Sequence, residues 1–149
     1  MRPGVGIGAA RTPGTNLMVN PISPNRVLVV DDEPAVLDLL AAIVRQAGYL
    51  PHLAGSAEEA IQALRLVASE TCLVISDIVM NGMNGLELAS WIRSEHPELP
   101  VLLVSGYMEE SQQTLPPGVQ FRKKPISVRE IQALVEQSCD TDSPGTTVN

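Results

Sequence analysis

The chain has 149 residues, of which 44% are hydrophobic and 3% aromatic, and it carries a formal net charge of −7. That length can bury a core without staples, and so few rings leave Val, Leu, Ile and Ala to fill it. The acidic balance argues against a non-specific nucleic-acid binder, which needs a basic footprint, and suits a protein that concentrates a divalent cation.

The apolar runs are far shorter than a membrane span, and the amino end, with Arg2 and Arg11, lacks the apolar block of a signal peptide. No membrane and a cytoplasmic setting are the expectation. Cys72 lies in an apolar run and Cys139 near the carboxyl end. Neither has a CxxC partner, so zinc is not indicated, and Cys72 reads as a buried free thiol rather than part of a disulfide framework. Residues 1–25 are rich in Gly, Pro, Asn and Thr and read as a disordered leader, with Met18 a candidate start. Residues 139–149 read as a tail, leaving 26–138 as one folded domain.

Within that domain short apolar runs alternate with helical patterns. Arg26–Val30 is too short for a helix and β-branched, so it predicts a buried strand. Pro34 suits a first helical turn, and Val36, Leu39, Leu40, Ile43 and Val44 follow at helical spacing up to Gly48, a left-handed stop. Tyr49–Ala54 predicts a second strand, placed at an edge by Pro51. Ser56 and Glu59 form a capping box before a helix bearing Ala60, Ile61, Leu64 and Val67.

Cys72–Ile75 predicts the third strand, leading into Ser76 and Asp77. Leu86, Leu88, Ala89 and Ile92 mark a helix that ends before Pro97. Val101–Val104 and Val119–Arg122 predict the fourth and fifth strands. Ser127 and Glu130 are a second capping box, opening a last helix with Val128, Ile131, Leu134 and Val135. The stretch 108–118 is polar, then Pro- and Gly-rich, and gives little support for a full helix between the last two strands. The order is α/β: a parallel sheet with helices on both faces.

In such sheets ligands sit beyond the carboxyl ends of the strands. The residues there are Asp31, Asp32 and Glu33 after the first strand, Asp77 after the third, Ser105, Gly106 and Tyr107 after the fourth, and Lys123, Lys124 and Pro125 after the fifth. Carboxylates brought together repel one another, and a hard divalent cation removes that cost. Asp77 stands alone at its strand end and suits a nucleophile that forms an acyl phosphate. Lys124 can pair with a phosphoryl oxygen and the Ser105 hydroxyl can donate to another. Singly, each has a duller reading: an acidic helix start, a solvated Lys-Lys-Pro turn, a common Ser-Gly loop. His52 and His96 read as surface or loop residues, and Trp91 and Met83 as packing residues.

These segments resemble the receiver domains of response regulators. The resemblance runs from about Arg26 to Glu136. It rests on Val-Leu-Val-Val-Asp-Asp-Glu at 27–33, Ser-Asp-Ile-Val-Met-Asn-Gly-Met-Asn-Gly-Leu-Glu-Leu at 76–88, Val-Ser-Gly-Tyr at 104–107 and Phe-Arg-Lys-Lys-Pro at 121–125. It implies a doubly wound, flavodoxin-like (βα)5 fold with strand order 2-1-3-4-5. By position it implies phosphorylation of Asp77 and Mg2+, or Mn2+ in its place, held by Asp31, Asp32, Asp77 and the Val79 carbonyl. Lys124 pairs with phosphate, Ser105, Phe121 and Tyr107 form the switch, and the Lys124–Pro125 bond is cis.

The implied partners are a histidine kinase or histidine phosphotransfer protein and a downstream protein target. The chain would catalyse its own phosphorylation and dephosphorylation without being a turnover enzyme, either as a stand-alone regulator or as the receiver piece of a hybrid kinase. Asn81 stands where the family usually has proline. The alternatives are a receiver-like docking module that is never phosphorylated and, with less support, a haloacid-dehalogenase-like hydrolase, whose acid two residues past the nucleophile would be Glu33 after Asp31. No helix-turn-helix pattern appears, so nucleic acid is not an expected partner.

Overall fold

The computed structural model describes residues 24–106 and 115–140. Five strands form one sheet: β1 (Arg26–Val30), β2 (Leu50–Ala54), β3 (Thr71–Asp77), β4 (Val101–Ser105) and β5 (Val119–Lys123). Four helices are described: α1 (Pro34–Gln46), α2 (Ala57–Val67), α3 (Gly85–Glu95) and α4 (Val128–Cys139). Every strand pair is parallel and the order is β2-β1-β3-β4-β5, the doubly wound arrangement expected. The question of a helix between β4 and β5 falls on residues 107–114, outside the described residues, as do Tyr107, the leader up to residue 23 and the tail from 141.

β1 is an interior strand, and both its faces are covered. Leu28 and Val30 join Val74 and Leu103 under α2 and α3, packing on Leu64, Leu88 and Ile92. Val27 and Val29 turn the other way, with Ile75, Leu102 and Val104, onto Ile43 and Val44 of α1 and Ile131, Leu134 and Val135 of α4. A continuous β-branched run is what a strand buried on both sides requires. β2, which carries Pro51, is at the edge.

Local signals set the helix ends. Gly48 has φ 95° and donates to the Arg45 carbonyl, closing α1. Ser56 caps α2 by accepting from Glu59 N–H, but Glu59 reaches back to Gly55 N–H rather than to that of Ser56. Ser127 caps α4 in the same way, yet Glu130 pairs with Arg122 at 3.2 Å, so its box is only half made. The complete box is at α3, where Asn84 and Glu87 exchange bonds of 2.9 Å. Leu39, a core candidate by spacing, is 58% exposed because it borders an apolar cleft.

Cys72 is not a free thiol. It is disulfide-bonded to Cys139, with Cα atoms 5.0 Å apart across 67 residues of sequence. The β1–β3 register shifts between Arg26, opposite Thr71, and Val27, opposite Leu73, so Cys72 is the extra residue of a bulge. A bulge re-aims a side chain. Cys72 and Leu73 therefore both join the α1/α4 side of the core.

Candidate functional site

The carboxyl edge of the sheet collects the predicted residues by simple register. Asp31 follows β1 and Asp77 ends β3. Ser105 ends β4 and lies opposite Lys123, and Lys124 donates its backbone N–H to the Ser105 carbonyl at 2.9 Å. The Lys124–Pro125 bond is cis.

Asp31, Asp32 and Asp77 each present a carboxylate oxygen to one point, all within 4.8 Å of one another. Lys124 Nζ lies 3.9 Å from Asp31 Oδ2 and 3.7 Å from Asp77 Oδ1. Backbone donors fix each acid: Glu33 N–H on Asp31 Oδ1 at 2.9 Å, Asn81 N–H on Asp32 Oδ2 at 3.2 Å, and Ile78 N–H on Asp77 Oδ1 at 2.8 Å. The acids are graded in exposure, with Asp31 buried, Asp77 half-buried and Asp32 exposed.

That grading has an electrostatic consequence. Burial pushes the Asp31 carboxyl up from the usual range, the Glu33 N–H pulls it back, Asp77 and Asp32 raise it and Lys124 lowers it. Three negative charges facing one ammonium leave the cluster short of positive charge. The donor set is all oxygen, partly exposed, and open to solvent at Asp32, which fits a hard cation that keeps water and accepts a phosphate oxygen.

A raised carboxyl pKa favours the protonated form in the folded chain. The stability this contributes is fully present below the unfolded value and is lost as pH rises through the folded one. At neutral pH the buried Asp31 charge therefore costs stability. Asp31→Asn is expected to raise the melting temperature of the metal-free chain at pH 7. It should also weaken Mg2+ binding by more than the about 10-fold that loss of even an outer-shell partner costs. Calorimetric melting and a Mg2+ titration check the pair, and a destabilised metal-free variant would contradict the electrostatic account. In the native chain, Mg2+ affinity should fall as pH drops through the Asp31 value.

The remaining candidates are placed as follows. Ser105 is buried at the strand end. Phe121 is half-buried, packed on the α2/α3 side of the core. Val79, two residues past Asp77, leaves its side chain 59% exposed. Neither histidine reaches the site: His52 lies mid-strand in β2, opposite Leu28, and His96 follows α3, its ring 5.7 Å from Trp91. Trp91 and Met83 pack against the core, as expected.

Three features were not anticipated. Glu58 of α2 accepts from Met83 N–H at 3.3 Å and so ties down the loop after β3. Asn81 offers Asp32 a backbone N–H that proline would lack. Gly85 packs against the backbone of Asp77 itself, where an added Cβ would lie 2.2 Å from the carbonyl oxygen. Only the Asn84-x-x-Glu87 spacing was visible in sequence as a sign that a helix begins there. Beside the acids, an apolar cleft of about 500 Å3 opens between α1 and α4, bordered by Leu39, Leu40, Val128, Ile131, Asp77 and Lys124.

A nest of carboxylates with one lysine, at the carboxyl edge of a doubly wound sheet, is the site of a protein that handles a cation together with an anionic group. Residues 27–136 match the family model of the response regulator receiver domain, and the chain belongs to that family. It is 33% identical over 114 residues to the sensor kinase CckA of Brucella abortus, a match covering 74% of this chain and 12% of that protein. It is 32% identical over 120 residues to the nitrogen assimilation regulatory protein NtrX of Azorhizobium caulinodans, covering 77% of this chain and 26% of that one. The chain thus spans about an eighth of the first relative and about a quarter of the second. The crystal structure of the response regulator TrrA from Thermotoga maritima, in complex with Mg2+-BeF, superposes with a TM-score of 0.67 at 30% identity, covering 76% of this chain and 97% of that one. As a receiver domain, the chain works in two-component phosphorelay signalling. No helix among the described residues is long and apolar enough to cross a membrane.

Proposed function

We propose that this chain accepts a phosphoryl group on Asp77 from a phosphohistidine of a histidine kinase or histidine phosphotransfer protein, and passes the signal to a downstream protein in the cytoplasm. The observation that carries this reading is the convergence of Asp31, Asp32, Asp77 and Lys124 from three strand ends. Asp31, Asp32, Asp77 and the Val79 carbonyl would hold Mg2+. When bound, the ion supplies neutralising charge for the phosphoryl oxygens.

Ile78 N–H and Lys124 Nζ both face Asp77 Oδ1, so Oδ2 is assigned as the attacking oxygen. A P–O bond forms there as the P–N bond to the donor imidazole breaks, giving an acyl phosphate. Lys124 holds a phosphoryl oxygen as a point charge. Ser105 swings its hydroxyl toward the new phosphate, Phe121 fills the space it leaves, and Tyr107 turns with the switch: a two-state element biased by local charge. Water attack at phosphorus later returns the carboxylate and inorganic phosphate, so the chain acts stoichiometrically and has no turnover substrate. The exposed Leu39 and Val128 on the cleft beside Asp77 suit the apolar flank of a donor helix.

The test is incubation with acetyl phosphate and Mg2+, read by intact mass. One added phosphoryl group is expected, absent in Asp77→Ala and absent with chelator. Labelling that persists in Asp77→Ala would remove the assignment, and a wild-type chain inert under these conditions would favour an unphosphorylated docking module.

A further inference from the structure

The disulfide lies at the edge of the sheet opposite the acids. Cys72 is the second residue of β3 and Asp77 the last, ~16 Å apart along the strand at 3.3 Å per residue. Cys139 is the last residue of α4. That helix begins just after Lys124, and its first-turn residues Val128 and Ile131 border the cleft beside Asp77. The bond thus fastens the far end of the helix that walls the phosphoacceptor cleft.

A second cleft, of about 610 Å3, opens at that amino edge. Cys72 and Ser138 are in its wall, together with Thr71, Leu99 and Pro100. Cys72, 6% exposed, thus borders the cleft through which an incoming thiol would approach. The reduced state also has a place for its hydrogen, since Cys72 Sγ lies 3.5 Å from the Arg26 carbonyl oxygen, within reach of an S–H donor.

We propose that Cys72 and Cys139 form a reversible thiol–disulfide exchange site, serviced by dithiols, that sets how firmly the end of α4 is anchored to β3. A dithiol thiolate attacks Cys72 Sγ from the cleft, and the Cys72–Cys139 bond breaks as a mixed disulfide forms. Cys139 leaves as a thiolate and takes up a proton. The second thiol of the reagent, as its thiolate, then attacks its own sulfur in the mixed disulfide and frees Cys72, which is protonated in turn. Two electrons pass to the protein, and the dithiol becomes a disulfide. Oxidation by a disulfide of the same class reverses both steps.

Once reduced, residues 135–139 keep Val135 and the small Cys139 side chain as their buried apolar contacts, while Glu136 and Gln137 are exposed. A helix end with few buried contacts opens readily. The choice of a reversible over a permanent bond rests on the cytoplasmic reading above, since disulfides in reducing compartments are mostly transient or redox-sensing.

The experiment uses the full chain purified without reductant and needs neither metal nor phosphoryl donor, so its failure is separable from failure of the phosphoryl reading. Denaturation into iodoacetamide, followed by intact mass, should show no alkylated cysteine before dithiothreitol and two after treatment of the native protein. Amide hydrogen exchange should then rise by about tenfold in residues 135–139, with β1 unchanged. Cys139→Ser should show the fast exchange with or without dithiothreitol. Free thiols in the unreduced chain would overturn the proposal. So would reduction that occurs only on global unfolding, or identical exchange in the two redox states. The wild-type comparison decides even where the serine variant fails to fold.

Discussion

Gly85→Ala is expected to destabilise the chain by about 3 kcal/mol and to lower the melting temperature by roughly 10 °C, a large effect for a single methyl group. Its Cβ would lie 2.2 Å from the Asp77 carbonyl oxygen, 2.9 Å from Ile78 Cα and 3.0 Å from the Asp77 carbonyl carbon. All three are backbone atoms and cannot rotate away. Gly85 N–H also donates to the Ile78 carbonyl at 2.9 Å, so the segment that must move is the one that carries Asp77. Phosphoryl acceptance should fall together with stability. Gly106→Ala is the control: nothing described lies within 4 Å of its Cβ, and the change should stay within about 0.5 kcal/mol. Thermal melts of the two variants check this, and equal melting temperatures would show that the turn after Asp77 yields freely.

Lys124→Ala is expected to separate two properties that Asp77 variants confound. Its Nζ is the one cation paired with the acid cluster among the described residues. Removing it withdraws a positive charge that competes with a bound cation, so Mg2+ should bind more tightly. Phosphoryl transfer should slow by about 10²–10³-fold, the usual cost of losing one donor to transition-state charge. Opposite signs in a Mg2+ titration and a phosphorylation time course support the assigned role. A variant that transfers at the wild-type rate would make Lys124 only a structural counter-ion.

Much of this arrangement was legible in the residues. Val27 to Val30 could be read as a doubly covered strand because burial on both faces demands an unbroken apolar run. Asp31, Asp32, Asp77, Ser105 and Lys124 could be found because parallel strands deliver their following residues to one edge. What escaped depended on long-range geometry. The pairing of Cys72 with Cys139 needs a bulge opposite Arg26 and Val27, which no period-two pattern reveals. Leu39 has helical spacing yet borders a cleft, since spacing gives a face and not what covers it. Glu130 satisfies a capping-box pattern but is drawn off by Arg122, a competitor eight residues earlier. The need for glycine at Gly85 was hidden, because its near neighbour is backbone carrying no side-chain signal.

The most direct measurement of whether these loops build one cation pocket is paramagnetic broadening by Mn2+, read residue by residue in an amide NMR spectrum. Resonances at 31–33, 77–79, 105–106 and 123–124 should disappear together at substoichiometric metal, while those of Cys72 and Cys139 stay sharp. Broadening centred on other acids, such as Glu95 and Glu98, or a sharp Lys124 amide beside a broadened Asp77, would contradict the account.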